Sequence, residues 1–85
     1  NIKNCMDQEI RQVMWELLSE RGPQKSICPS EVAKKCFPEG WRIHMEVVRK
    51  VAYEWAVEGK VMITQKGIPV DPARVKGPIR IKIKN

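Results

Sequence analysis

Lysine and arginine side chains are concentrated in the last third of the chain, where their charge is suited to holding a polyanion. The segment from residue 60 to residue 85 holds seven cations and a single acid, Asp71, so its net charge is +6. Residues 1–59 hold nine cations and nine acids and are neutral, so the +6 charge of the whole protein comes from this segment. A local excess of positive charge of this kind favours contact with phosphate groups.

The last basic residues alternate with isoleucine, which predicts a strand that is buried on one face only. The pattern places Arg80, Lys82 and Lys84 on the same side of that strand, about 6.7 Å apart. A row with this spacing can follow a phosphate backbone. The same alternation also keeps the outer face of a sheet in water and free of aggregation, so both interpretations stay open.

We expect the strand cations to act with a preceding loop and with the outer face of a third helix. The candidate nucleic-acid-binding residues are Arg42, Arg49, Lys50, Tyr53, Lys66, Arg74, Lys76, Arg80, Lys82 and Lys84. The three cations of the helix are balanced by Glu46, Glu54 and Glu58. The strand and loop should therefore supply more of the affinity for DNA or RNA than the helix, with weak sequence specificity.

Catalytic chemistry has few candidate residues in this chain. His44 is the only histidine, and a pair formed by Cys36 and His44 has no evident third residue to orient it. The three cysteines, at positions 5, 28 and 36, contain no CxxC pair and are interpreted as reduced, small hydrophobic residues. The sequence thus predicts a cytoplasmic protein that is not an enzyme and has no metal or cofactor.

Three helices are predicted upstream of the basic segment, over about 7–20, 29–36 and 41–58. Apolar residues from Met6 to Leu18 recur at helical spacing, with Asp7 near the cap, and Gly22 with Pro23 ends the first helix. Pro29 and Glu31 follow Cys28 as the first and third residues of a second helix, with Glu31 able to bond back to the cap amide. The third helix has an apolar face made of Trp41, Met45, Val48, Ala52, Trp55 and Ala56.

A β-hairpin is predicted over about 60–84, with strands near residues 61–64 and 79–84 joined by a long connection. Three prolines stiffen that connection, and Asp71 with Pro72 can begin a single helical turn. A short extended piece is expected near Ile27. The order of elements predicts one α+β domain over residues 1–85, a winged helix with a three-helix helix-turn-helix core and a C-terminal β-hairpin wing. No apolar run approaches the length of a membrane span.

Four stretches of the chain resemble the bacterial domain-of-unknown-function family 3253. They are Ile27 to Ala33, Trp41-Arg42, Thr64 to Gly67 followed by Pro69 to Pro72, and Gly77 to Arg80. The resemblance covers nearly all of the chain from the first helix onward. It implies a small winged-helix domain and brings no established biochemical role with it.

A protein-interaction module is the alternative function. Its apolar anchors would be the residues predicted to lie away from the core, Trp15, Ile43, Val47, Tyr53 and Val57. The polar motif residues Gln65, Lys66 and Asp71 suit either function. They are equally consistent with a structural role that fixes the loop, in which Asp71 pairs with Arg74 or Arg80.

Overall fold

A computed structural model describes the backbone of residues 2–84 and the side chains of residues 7–84. The helices are α1 (Ile2–Arg21), α2 (Pro29–Cys36) and α3 (Met45–Val57), and a 3-10 turn, Trp41–His44, precedes α3. The strands are β1 (Ser26–Ile27), β2 (Val61–Gln65), β3 (Ile68–Pro69) and β4 (Arg80–Ile83). They form one antiparallel sheet in the order β1-β4-β2-β3. The predicted α+β class is confirmed, and the element order is compatible with a winged helix.

Helix α1 begins at Ile2, five residues earlier than predicted. Asp7 therefore lies inside the helix rather than at its cap, and its Oδ2 accepts a hydrogen bond from Arg11 Nη2 at 3.4 Å. This i,i+4 pair is a common stabiliser of helix surfaces. The predictions that Met6 faces inward and that Cys5 is reduced concern side chains outside the described residues.

Helix α2 has the predicted bounds, and its first turn is closed by Glu31. Oε2 of Glu31 accepts a hydrogen bond from the Cys28 amide at 2.8 Å, while Oε1 accepts one from Arg21 Nη2. Partial burial alone would raise the pKa of Glu31, but the hydrogen bonds from Arg21 and from the Cys28 amide outweigh it and hold the pKa below its ordinary value. The carboxylate thus links the end of α1 to the start of α2.

The third predicted helix is not uniform, because its first four residues form a 3-10 turn. The Ile43 amide bonds to the Gly40 carbonyl at 3.2 Å, an i→i+3 contact of the type that often tightens helix termini. The buried face of α3 carries Val48, Val51, Ala52 and Trp55. Val51, which is not among the residues of the predicted apolar face, is buried with it.

The connection after β2 differs from the single long loop that the sequence predicts. Lys66 and Gly67 both have positive φ, +52° and +80°, and form a tight turn from β2 into β3. Two consecutive positive φ values are the geometry of a type I′ hairpin turn. Strand β3 has only two residues, one of them Pro69, and such a segment carries too short a pattern to be recognised from sequence.

The loop from β3 to β4 begins with the single helical turn predicted at Asp71. Oδ1 of Asp71 accepts a bond from the Ala73 amide at 2.9 Å, and its carbonyl accepts bonds from the Arg74 and Val75 amides, each at 3.0 Å. The carboxylate of Asp71 therefore satisfies a backbone donor at the start of the turn, as a helix cap does.

One hydrophobic core lies between the helices and one face of the sheet. Ile81 of β4 is its central strand residue, because it pairs with Ile27 of β1 on one side and with Ile63 of β2 on the other. From α1, the side chains of Ile10, Met14 and Leu18 reach the same core. Over the described residues, no helix combines the length and apolar character needed to cross a membrane.

Candidate nucleic-acid interface

Arg49 joins the outer side of α3 to the loop between β3 and β4. Its Nη2 donates to the Gly77 carbonyl at 2.7 Å, and its Nε donates to the Tyr53 hydroxyl at 3.1 Å. Tyr53 lies one turn further along the helix and orients the guanidinium. Two of the predicted binding residues are thus in contact with each other and with the loop.

Gln65, the last residue of β2, holds the same part of the loop. Its Nε2 donates to the Lys76 carbonyl at 2.6 Å and to the Pro78 carbonyl at 2.9 Å. Three consecutive carbonyls, at 76, 77 and 78, therefore accept bonds from Gln65 or Arg49. Gly77 has φ +86°, a conformation that favours glycine. The side chain of Gln65 thus has the loop-fixing role left open by the sequence.

Several cations are next in sequence to, or part of, the segments that these contacts join. Lys50 follows Arg49 on α3, and Lys66 follows Gln65 at the tight turn. Lys76 lies in the part of the loop that Gln65 and Arg49 hold. All three lysines are exposed, and within residues 7–84 none of them forms an ion pair. We name Arg49, Lys50, Tyr53, Lys66 and Lys76 the wing–helix cluster.

Arg80 is directed toward β1 rather than toward the loop. Its Nε donates to Ser26 Oγ at 2.8 Å and its Nη2 donates to the Ser26 carbonyl at 2.9 Å. Arg21 Nη1 donates to the same carbonyl at 2.9 Å. Two donors of Arg80 are therefore engaged in joining β4 to β1, which gives this side chain a structural role whether or not it also contacts phosphate.

The remaining candidate binding residues have different neighbours from one another. Lys82 is half-buried beside Met62 and Ser26 on neighbouring strands, and Lys84 is exposed. Arg74 lies 3.9 Å from Asp71, so Asp71 pairs with Arg74 rather than with Arg80. The guanidinium carbon of Arg42 lies 4.6 Å from the centre of the Trp41 ring, a cation–π contact. The ten candidates therefore do not form a single continuous row.

An open groove runs along the outer face of α3, and the three α3 residues of the wing–helix cluster form part of its wall. It is lined by Ile43, His44, Glu46, Val47, Arg49, Lys50 and Tyr53. Ile43, at the N-terminal end of the groove, is 81% exposed. Val57, at the C-terminal end of α3 and outside the groove, is 83% exposed. Glu46 and Lys50 lie one helical turn apart on this face, but they form no ion pair among the described side chains.

The apolar anchors considered for a protein partner do not form one patch. Ile43, Val47 and Tyr53 line the groove on α3. Trp15 instead packs edge-to-face against Trp55, with ring centres 6.0 Å apart at 77°, and Trp55 belongs to the buried face of the helix. Trp15, 46% exposed, therefore belongs to the junction of α1 and α3.

Comparison with known proteins identifies the family. Residues 7–84 match the family model described as protein of unknown function (DUF3253). The chain belongs to DUF3253. No curated protein matches its sequence. Gln65, Gly77 and Arg80 belong to the stretches that resemble the family. In this DUF3253 member, Gln65 and Gly77 take part in the bonds that fix the loop between β3 and β4, and Arg80 attaches β4 to β1.

The two residues considered for nucleophilic catalysis in the DUF3253 chain make separate contacts. The His44 ring stacks on Phe37 with ring centres 3.7 Å apart, and Cys36 Sγ lies 3.9 Å from the Glu9 carbonyl. Burial, with the nearby charge of Glu9, raises the pKa of the Cys36 thiol, which disfavours the nucleophilic thiolate. Cys28 and Cys36 are free thiols. No group of three metal-ligating side chains occurs among the described residues.

Proposed function

We propose that this DUF3253 protein binds nucleic acid through the wing–helix cluster, with the lysines of the cluster contacting phosphates. The observation that carries the proposal is the bond from Arg49 to the Gly77 carbonyl. Because of it, the outer face of α3 and the basic loop form one surface. Lysines that are far apart in sequence can then contact one polyanion together.

The charge distribution supports phosphate contact as the main source of affinity. Helix α3 with its 3-10 turn and the following residue is neutral, whereas the segment from residue 60 onward carries the whole net charge of +6. Contacts to phosphate carry no sequence information, so binding should be of low specificity apart from what α3 adds. The expected ligand is duplex DNA, with RNA as a second polyanion to compare.

A salt titration with a charge-matched control tests this function. The Lys66→Gln/Lys76→Gln variant should lower the steepness of log affinity against log salt for duplex DNA by about 1.8, because each lost phosphate contact contributes about 0.9. The Lys25→Gln/Lys35→Gln variant loses the same charge from exposed positions outside the cluster and should keep the wild-type slope. Fluorescence anisotropy from 25 to 300 mM salt measures both.

Two results would contradict the proposal. Wild-type protein that binds neither duplex DNA nor RNA at the lowest salt concentration has no nucleic-acid function of this kind. Equal losses of slope in the two double variants would mean that net charge alone, rather than the cluster, attracts the polyanion.

Protein binding is a second candidate, and the exposure of Ile43 and Val57 favours it. Exposed large apolar side chains are common anchors in protein interfaces. Because Ile43 and Val57 lie at opposite ends of α3, a partner that uses both would have to span the outer face of the helix. An Ile43→Ala/Val57→Ala variant that loses a partner captured by the wild type, while the double lysine variant keeps it, would support this second function.

A further inference from the structure

The apolar residues Ile43 and Val47 of the α3 groove lie at the N-terminal end of the helix. Ile43 is in the turn that leads into α3, and Val47 is four residues further on the same face. In helix-turn-helix proteins, the N-terminal residues of the recognition helix contact base edges. Ile43 is 81% exposed in the free protein, so its methyl groups are available to a ligand.

The major groove of DNA offers one apolar group to such side chains, the C5-methyl group of thymine. Hydrogen-bonding groups of the other bases give no advantage to an isoleucine or a valine. We propose that Ile43 and Val47 contact thymine methyl groups, so that the preferred ligand is thymine-containing duplex DNA. This inference rests on the proposed function and names the ligand class of the same surface.

Charge complementarity favours DNA over a protein as the occupant of the groove. Lys50 and Arg49 line the groove itself, and the loop fixed by Arg49 adds Lys76 beside it. Glu46 is the only acid among the lining residues. Its carboxylate can accept a hydrogen bond from the amino group of cytosine in the major groove, so it does not require a basic protein partner.

Replacing thymidine by deoxyuridine tests the inference, because it removes the methyl group and keeps the phosphates and the base-pairing edge. Two random-sequence duplex pools, one prepared with thymidine and one with deoxyuridine, are titrated against wild-type protein. We expect about fourfold weaker binding to the deoxyuridine pool for each methyl group contacted, the effect of leaving one methyl group unburied.

Ile43→Ala should reduce the preference for the thymidine pool by about fourfold, the contribution of one methyl contact, and keep the wild-type salt slope, because it removes no charge. Ile68→Ala is the matched control, since Ile68 is also exposed but lies on β3. It should keep the preference for thymidine. Circular dichroism checks that both variants fold as the wild type does.

The outcomes separate this inference from the proposed function. Wild-type protein that binds both pools equally would overturn the thymine contact and leave phosphate binding intact. A thymidine preference of undiminished size in Ile43→Ala would overturn the assignment to this residue. Absence of binding to either pool would contradict the proposed function itself, whatever ligand Ile43 contacts.

Discussion

Three charged residues near the Ser26 carbonyl join different elements of the chain. Arg21 and Arg80 both donate to that carbonyl, and Arg21 also holds Glu31, which closes the first turn of α2. Backbone carbonyls and amides at element ends need partners, and here charged side chains supply them. The charge on Glu31 is therefore part of how α1, β1 and α2 are attached to one another.

Replacement of Glu31 tests this role. Glu31→Ala should lower the free energy of unfolding by about 1 kcal/mol at pH 7, since it removes a cap and a partly exposed ion pair. The lowered pKa of Glu31 means that its stabilisation is present above the ordinary pKa of 4.5 and is lost as the pH falls through the folded-state pKa. The difference between variant and wild type should thus shrink in acid.

Urea unfolding at pH 7 and at pH 3 measures the effect of Glu31. Glu39→Ala is the control, because Glu39 is an exposed carboxylate without an ion pair among the described side chains. A Glu31→Ala deficit of the same size at both pH values would contradict a role for the charge and leave only the loss of side-chain packing.

At the scale of elements, the loop between β3 and β4 is fixed although it contains little regular structure. The turn at Asp71 orders its first part, and Gln65 and Arg49 hold the carbonyls of its last part. Long loops without such contacts exchange their amide hydrogens rapidly. The proposed interface depends on this order, because a mobile loop would have to be fixed each time the ligand binds.

Hydrogen exchange tests whether these bonds order the loop. Arg49→Ala and Gln65→Ala should each speed the exchange of the Arg74 and Val75 amides, which are hydrogen-bonded within the loop, by about tenfold, the effect of losing one or two of the bonds that order it. Lys50→Ala removes the same charge as Arg49→Ala and should leave these amides unchanged. Exchange rates equal to those of the wild type in both Arg49→Ala and Gln65→Ala would show that the loop is ordered by other contacts.

At the scale of the whole molecule, one small core supports every element. A chain of 85 residues buries little more than half of its unfolded surface, so its margin of stability is narrow. Ile81 is fully buried and connects β1, β4 and β2 to the helices. The basic residues lie outside this core, so charge and stability are largely separate properties of the molecule.

Truncation of Ile81 should show how small that margin is. Ile81→Ala should cost about 3 kcal/mol, from lost burial and the cavity that remains. In a domain of this size the melting temperature should then fall by roughly 15 °C. Thermal unfolding followed by circular dichroism measures it, with the exposed Lys84→Ala as control. A shift below 3 °C for Ile81→Ala would mean that the core repacks around the truncated side chain.

The sequence by itself determined the features that depend on neighbouring residues. Periodicity and cap chemistry predicted the three helices, the bounds of α2, the bond from the Cys28 amide to Glu31 and the turn at Asp71. Alternation predicted β2 and β4, and it separated the buried isoleucines of β4 from its outward cations. These patterns are readable because they repeat over a few residues within one element.

Only the tertiary structure decided which side chains hold the loop and which remain free for a ligand. Arg49 reaches Gly77 across 28 positions, and Arg80 reaches Ser26 across 54. Their sequence pattern is that of any exposed arginine, because the carbonyl that accepts each bond is brought close by folding alone. Arg49 and Arg80, which the sequence pattern grouped with the candidate nucleic-acid-binding lysines, are thus structural donors. Lys50, Lys66 and Lys76 keep their charges unpaired among the described side chains.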